Sequence, residues 1–167
     1  MAAPACRRQR LPARERAVHT TTHMTTHILK LCVGADSVED LAEWQIGQLK
    51  RAKKEKRPHI APVCGTRMWP KRVEDVLAGG SLYWVIKGVV LVRQRIIAID
   101  DVTDDHGPRC GLYLDTQLVR TSPQPRRAFQ GWRYLDPKDA PADLGDLKGG
   151  ADLPEELRRK LVELGAW

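Results

Sequence analysis

Apolar positions recur along this chain with two periods, and the predicted elements change where the period changes. Thr25-Thr26-His27-Ile28-Leu29-Lys30-Leu31-Cys32-Val33 reads as a β-strand, apolar and rich in branched residues. A helical period comes next, in which Val38, Leu41, Ala42 and Leu49 fall on one side of a helix starting at Asp36 or Ser37. Both starts have capping-box spacing, Asp36 with Glu39 and Ser37 with Asp40, and Pro58 stops the helix after the basic run from Lys50 to Arg57. Residues 59–69 read as extended. Pro70 and Gly79 then bracket a short helix, Lys71 to Ala78, with Val73, Val76 and Leu77 directed inward.

From Ser81 the period is two, with Leu82, Trp84 and Ile86 on one face and Tyr83, Val85 and Lys87 on the other, as far as Gly88. Residues 89–99 predict a second strand, in which Val90, Val92, Ile96 and Ala98 share a face with Gln94. Leu91, Ile97 and Ile99 share theirs with Arg93 and Arg95. Two arginines on an apolar face require either a bulge that re-aims them or a barrel mouth from which they snorkel to water. Asp100 to Pro108 reads as a turn, and a strand around Leu112 and Leu114 completes a hairpin. Another short strand near Leu118 to Arg120 leads into a Pro-rich extended entry, Ser122-Pro123-Gln124-Pro125. Residues 136–152 are acidic and loop-like, and Pro154 opens a last helix to Leu164 with Leu157, Leu161 and Leu164 as its packing stripe. There are no internal repeats. The pattern predicts one α+β domain over residues 24–167, with five or six strands flanked by three helices. The strands are expected to be mostly antiparallel, because their connections are short for parallel crossovers.

Composition narrows the classes. The chain is 42% hydrophobic and 29% charged, as soluble globular domains are. Its longest apolar stretch, Val85 to Val92, is interrupted by Lys87 and falls far short of the roughly 20 residues of a membrane span, so no membrane partner is expected. Cys6, Cys32, Cys64 and Cys110 form no C-x-x-C, which points to a reducing cytoplasm and away from a zinc site, a redox dithiol or a disulfide scaffold.

The net charge of +7 is unevenly placed. Residues 1–23 hold five arginines against Glu15, a net of +4, with little apolar periodicity, and read as a disordered basic arm. Transit-peptide and nucleic-acid-tail readings fit the same composition. Met24, directly before the first strand, offers an alternative start. His19, His23 and His27 are spaced for one helical face, but the threonines between them argue against a helix, and a solvated tail is expected.

Three longer motifs carry a family resemblance. Thr66-Arg67-Met68-Trp69-Pro70-Lys71-Arg72, Gly79-Gly80-Ser81-Leu82-Tyr83-Trp84-Val85-Ile86-Lys87-Gly88 and Phe129-Gln130-Gly131-Trp132-Arg133-Tyr134-Leu135 closely resemble the alphaproteobacterial family known as domain of unknown function 1489, over essentially residues 24–167. That family carries no established activity, and its members begin near the strand after Met24. At the level of arrangement, a helix ending in Gly-Gly, an aromatic and basic strand, and a long strand feeding a hairpin look like the PUA and ASCH pseudobarrels, which bind RNA or modified bases. The Glu-x-Arg signature of the ASCH type is absent, with Trp84 and its neighbours in its place. The resemblance implies a PUA-like pseudobarrel as the form of the sheet.

Residues 48–95 hold twelve Lys or Arg against three acids, a net of +9, and residues 116–135 add four arginines with no acid. Trp69, Tyr83, Trp84, Phe129, Trp132 and Tyr134 are interleaved with them. Cations track a phosphate backbone and aromatic faces stack bases, so the pairing suits RNA or another nucleic acid as partner, bound without catalysis or cofactor. The residues expected to carry it are Arg67, Trp69, Lys71, Arg72, Tyr83, Lys87, Arg93, Arg95, Arg126, Arg127, Trp132 and Arg133. Trp84 is expected in the core and Tyr83, on the opposite face, at the surface, while Trp132 is open between the two.

Two alternatives stand beside this. Asp100, Asp101, Asp104, Asp105 and His106 offer oxygen ligands for Mg²⁺ or Mn²⁺, as a metal-dependent nuclease or phosphoesterase needs, although hairpin turns use the same residues. The basic helix end at Lys50 to Arg57 suits a protein-interaction adaptor or simply a solvated helix terminus. Cys64 and His59 are badly spaced for a nucleophile and its base, and a buried structural thiol is expected instead. No phosphate-binding glycine loop, G-x-S-x-G or H-E-x-x-H occurs.

Overall fold

In the first strand, β1 (His27–Leu31), Ile28 and Leu29 point to opposite faces of the sheet and both are buried, so the sheet has apolar cover on both sides. The protein is described by a computed structural model over residues 24–144; the arm 1–23 and the helix expected at Pro154–Leu164 lie outside the described residues. After β1 come α1 (Val38–Lys54), β2 (Val63–Thr66), α2 (Val73–Leu77), β3 (Ser81–Ile86), β4 (Val89–Asp104), β5 (Gly107–Leu114), β6 (Val119–Pro125) and β7 (Trp132–Leu135). The seven strands form one open sheet in the order β2-β5-β4-β3-β1-β7, with β6 on β4. The architecture is mixed α/β with a mostly antiparallel sheet and, among the described residues, two α-helices and one 3-10 turn, Pro137–Asp139. One pair departs from the expectation of short antiparallel links. β1 and β3 run parallel, joined by the long path through α1, β2 and α2.

Helix α1 starts where Ser37 caps it, its side chain accepting from the Asp40 amide, while the Asp40 carboxylate accepts from the Asp36 amide. Val38 and Leu41 pack inward as their spacing requires, but the next inward position is Gln45, a polar residue. Farther along, Gln48 fixes the helix to β2 through paired bonds, its Nε2 donating to the Val63 carbonyl and its Oε1 accepting from the Val63 amide, each at 3.0 Å. Helix α2 is shorter than its sequence brackets. Val76 is fully buried, whereas Leu77 is exposed rather than inward.

Strand β4 is the spine of the sheet, and it extends five residues into the stretch that reads as a turn. Asp100 to Asp104 pair with Gly107 to Gly111, leaving Asp105 and His106 to make the reversal. Two single-residue bulges break its alternation. Against β3, Trp84 pairs with Val92 and Val85 with Val90, so Leu91 is the extra residue; against β5, Ile96 pairs with Leu114 and Ala98 with Tyr113, so Ile97 is. Each bulge switches the facing of the residues beyond it. Val92 and Ile96 therefore join the core under α1 with Ile28, Leu41, Trp84, Leu112 and Leu114, while Val90 joins Leu29, Tyr83, Val85 and Leu135 on the opposite side.

That second core is closed by the segment after β6. Phe129 and Ala140 pack on it, Ser122 donates its amide to the Ala142 carbonyl, and Asp143 engages Arg93. Period-two patterning in β3 thus marks two buried faces, not a buried one and a wet one, and all six residues of the strand are buried.

His27 sits at the rim of this core. Its Nδ1 accepts the Ser81 amide at 3.0 Å and its ring lies 5.2 Å from that of Tyr83. Burial, reinforced by the Arg93 charge, holds its pKa below the ordinary 6.5. A depressed histidine stabilises the fold in its neutral form, so this contribution is complete above pH 6.5 and is lost as pH falls through the lowered folded value. Urea midpoints measured across that range are expected to decline on acidification, and the decline is expected to shrink in His27→Gln. An unchanged profile in the variant refutes the assignment.

Candidate nucleic-acid interface

Strand β7 ends the sheet, pairing antiparallel with β1 on one side only, and its alternation sends Trp132 and Tyr134 one way and Arg133 and Leu135 the other. On the Trp132 side lies the segment between β2 and α2, which carries Arg67, Trp69, Lys71 and Arg72. Trp132 donates its Nε1–H to the Met68 carbonyl at 3.0 Å, and the Tyr134 hydroxyl accepts the Arg72 amide at 3.1 Å. The two rings meet edge to face with centroids 4.8 Å apart, and the Arg72 guanidinium lies 5.8 Å from the Tyr134 centroid. Trp132 resolves its open assignment by being partly buried and bracing this segment. Its neighbour Trp69 stays 45% exposed, alongside exposed Met68, Arg67, Lys71 and Arg72.

On the other side of β7, Arg126, Arg127 and Arg133 line a cavity of about 490 Å³ with Phe129, Leu29 and Leu135. The Arg133 guanidinium sits 5.7 Å from the Phe129 centroid. Lys87 reaches the same neighbourhood through the chain. Lys87 and Gly88 form the two-residue β3–β4 turn with φ of 49° and 79°, as a primed hairpin turn demands, and the Gly88 carbonyl accepts the Arg126 amide at 2.7 Å. The Lys87 ammonium is exposed, 3.9 Å from the Asp36 carboxylate.

Two expected contact residues are not free to serve. Tyr83 is only 4% exposed, because the segment after β6 covers its face, and burial pushes its phenol pKa up. Arg93 presents its Nε and one terminal nitrogen to both Asp143 carboxylate oxygens at 2.6 and 2.5 Å, and its other terminal nitrogen to Ser81 Oγ at 3.3 Å. Arg95, opposite Ser81 in the β3–β4 register, is exposed. Two participants lie outside the expected set: Tyr134 as a contact, and Asp143 as the partner of Arg93. Tyr134 is legible in the sequence, two residues from Trp132 on one strand face; Asp143 is not, because fifty residues separate it from Arg93.

The acidic stretch does not assemble a metal centre. Asp100 accepts the Asp101 amide and faces His59 at 3.3 Å, while Asp104 accepts the His106 amide and pairs with Arg109. Among the described residues no group of three or more His, Cys, Asp or Glu is placed to hold a metal ion. Cys64 lies buried in β2, and desolvation pushes its thiol up to about 11, far from the thiolate a nucleophile needs. The basic helix end at Lys50 to Arg57 is exposed apart from Ala52 and the half-buried Arg57, whose guanidinium pairs with Glu55 at 2.6 Å.

Fold and surface together define a small mixed α/β protein with a basic, aromatic edge. The chain belongs to a protein family of unknown function, DUF1489, whose model matches residues 28–167. No curated protein and no solved structure matches it. Among the described residues, no helix is long and apolar enough to cross a membrane.

Proposed function

We propose that this chain is a non-catalytic RNA-binding domain whose contact surface is the sheet end around β7. The observation that carries the reading is Trp69, held 45% exposed between the cations Arg67 and Lys71. The backbone beside it is fixed at Met68 by Trp132 and at Arg72 by Tyr134, so an exposed indole is presented on an ordered support. A base stacks on such a ring with little further ordering cost, and flanking cations meet the phosphates. Arg126, Arg127 and Arg133, across β7, and Lys87 and Arg95 supply further positive charge along the backbone path.

The order α2, Gly79-Gly80, β3, then the β4–β5 hairpin supports the PUA-like arrangement, read over a single domain from residue 24 to 167. The free thiols Cys32, Cys64 and Cys110 fit a reducing cytoplasm.

Anisotropy of a labelled single-stranded RNA titrated with the protein tests this reading. Affinity is expected to fall linearly in log salt, by about 0.7 per phosphate neutralised. Trp69→Ala is expected to weaken binding about tenfold, the loss of one stacked base, while leaving the salt slope unchanged because no cation is removed. Absent binding, salt-independent binding, or full affinity in Trp69→Ala overturns the proposal.

A further inference from the structure

Five of the described arginines are paired: Arg57 with Glu55, Arg72 with Asp75, Arg93 with Asp143, Arg109 with Asp104 and Arg120 with Glu39. Arg126, Arg127 and Arg133 have no carboxylate partner among the described residues, although all three line one cavity. Two carboxylates line it as well. Asp136 is committed elsewhere, its side chain accepting the Lys138 amide and lying 3.9 Å from the Lys138 ammonium. Asp139 remains, so the cavity wall carries excess positive charge.

Within that set Arg126 is distinctive. One terminal nitrogen donates to Gln124 Oε1 at 2.7 Å, and its backbone amide is fixed on Gly88. Its Nε–H is buried yet has no acceptor among the described residues. That N–H lies out of reach of an incoming ligand, so an oxyanion is met by the terminal nitrogens, which Gln124 orients and no carboxylate among the described residues engages. The fork geometry of Arg selects planar or tetrahedral oxyanions. At about 490 Å³ the cavity falls within the size range of small-ligand sites and admits more than a bare ion. Phe129 on its wall offers ring surface to a base or other flat group.

We infer that the cavity between β6 and β7 is a binding site for a phosphate monoester, with Arg126 as the donor to the phosphate and Arg127 and Arg133 as its flanking charges. The ester is either a free mononucleotide or the 5′-phosphorylated end of an RNA. Only the second source rests on the RNA reading; the site itself stands on the cavity and its unpaired arginines.

Thermal unfolding of the full chain is followed with inorganic phosphate, adenosine 5′-monophosphate or adenosine, and anisotropy is measured with a short RNA bearing a 5′-phosphate or a 5′-hydroxyl. Phosphate and the mononucleotide are expected to raise Tm by about 4 °C at tenfold saturation, and adenosine not at all. Arg126→Gln and Arg133→Gln, each with an unchanged Tm in the absence of ligand, are expected to lose at least tenfold in affinity; Lys54→Gln, on the exposed end of α1 and outside the cavity, is expected to retain it. Preference for the phosphorylated RNA that disappears in Arg126→Gln identifies an RNA end as the source. Protection by the mononucleotide with no RNA binding identifies a small molecule, and then the RNA reading fails while the cavity site stands. No protection and no preference between RNA ends, or effects equal in Arg126→Gln, overturn the inference.

Discussion

Replacing Gly80 by alanine is expected to lower the unfolding free energy by about 4 kcal/mol, among the largest losses a single methyl can cause. A Cβ built there lies 2.3 Å from the Val76 carbonyl oxygen and 2.4 Å from that of Thr26. Both obstacles are backbone, so neither can swing away as a long side chain would. Gly80 cannot retreat either, because its amide donates to the Val76 carbonyl at 2.8 Å and its carbonyl accepts the Ile96 amide at 3.0 Å. The residue joins the end of α2 to the start of β3 while the chain ahead of β1 passes over it.

Gly79, its neighbour, makes the control. There the constraint is a φ of +99°, with only the Thr25 hydroxyl near, at 3.9 Å. Alanine at Gly79 is expected to cost about 1–2 kcal/mol, the penalty of a left-handed conformation. Urea denaturation of the two variants measures both. Equal losses, or a larger one at Gly79, would show that close backbone approach does not govern this junction.

The Gly-Gly pair is visible in the sequence as a helix stop, but which glycine is constrained, and by what, depends on Thr26, more than fifty residues upstream. The same distinction runs through the fold. Local signals place β1, the Ser37 cap, β3 and the 89–99 strand close to where they lie, because capping and two-residue periodicity are properties of neighbouring residues. The features that escape a sequence reading are decided across the sheet. Periodicity cannot show the bulges at Leu91 and Ile97, since each inserts one residue against a partner strand, and the faces of β3 read as one buried and one wet until the segment from Phe129 to Asp143 is laid over Tyr83. Likewise Arg67, Trp69, Lys71 and Arg72 are recognisable as a basic aromatic run. Their alignment against Trp132 and Tyr134 is not, because it pairs segments more than sixty residues apart.

Gln94 illustrates how a polar residue on an apolar strand face is explained, and its removal is the second large effect expected. It is fully buried and fully engaged: its Oε1 accepts the Trp84 indole N–H at 2.9 Å and the Gln45 amide at 2.7 Å, while its Nε2 donates to Gln45 Oε1 at 2.8 Å and to the Asp115 carbonyl at 2.9 Å. One side chain thus joins α1, β3, β4 and the link from β5 to β6. Gln94→Leu preserves volume but leaves an indole N–H, a primary amide and a carbonyl without those partners. The loss is expected to be about 3 kcal/mol in the midpoint-derived unfolding free energy. Gln45→Leu is expected to cost about 2 kcal/mol, since Gln94 then keeps Trp84 and Asp115. The double variant decides whether the pair acts as a unit. With both amides gone, no orphaned glutamine remains opposite a leucine, so the combined loss is expected to fall short of the sum by about 1–2 kcal/mol. The remainder is the cost of Trp84 Nε1–H and the Asp115 carbonyl, which no leucine can satisfy. Strict additivity would mean that the two glutamines are stabilised separately and that the bonds between them do not hold α1 to the sheet.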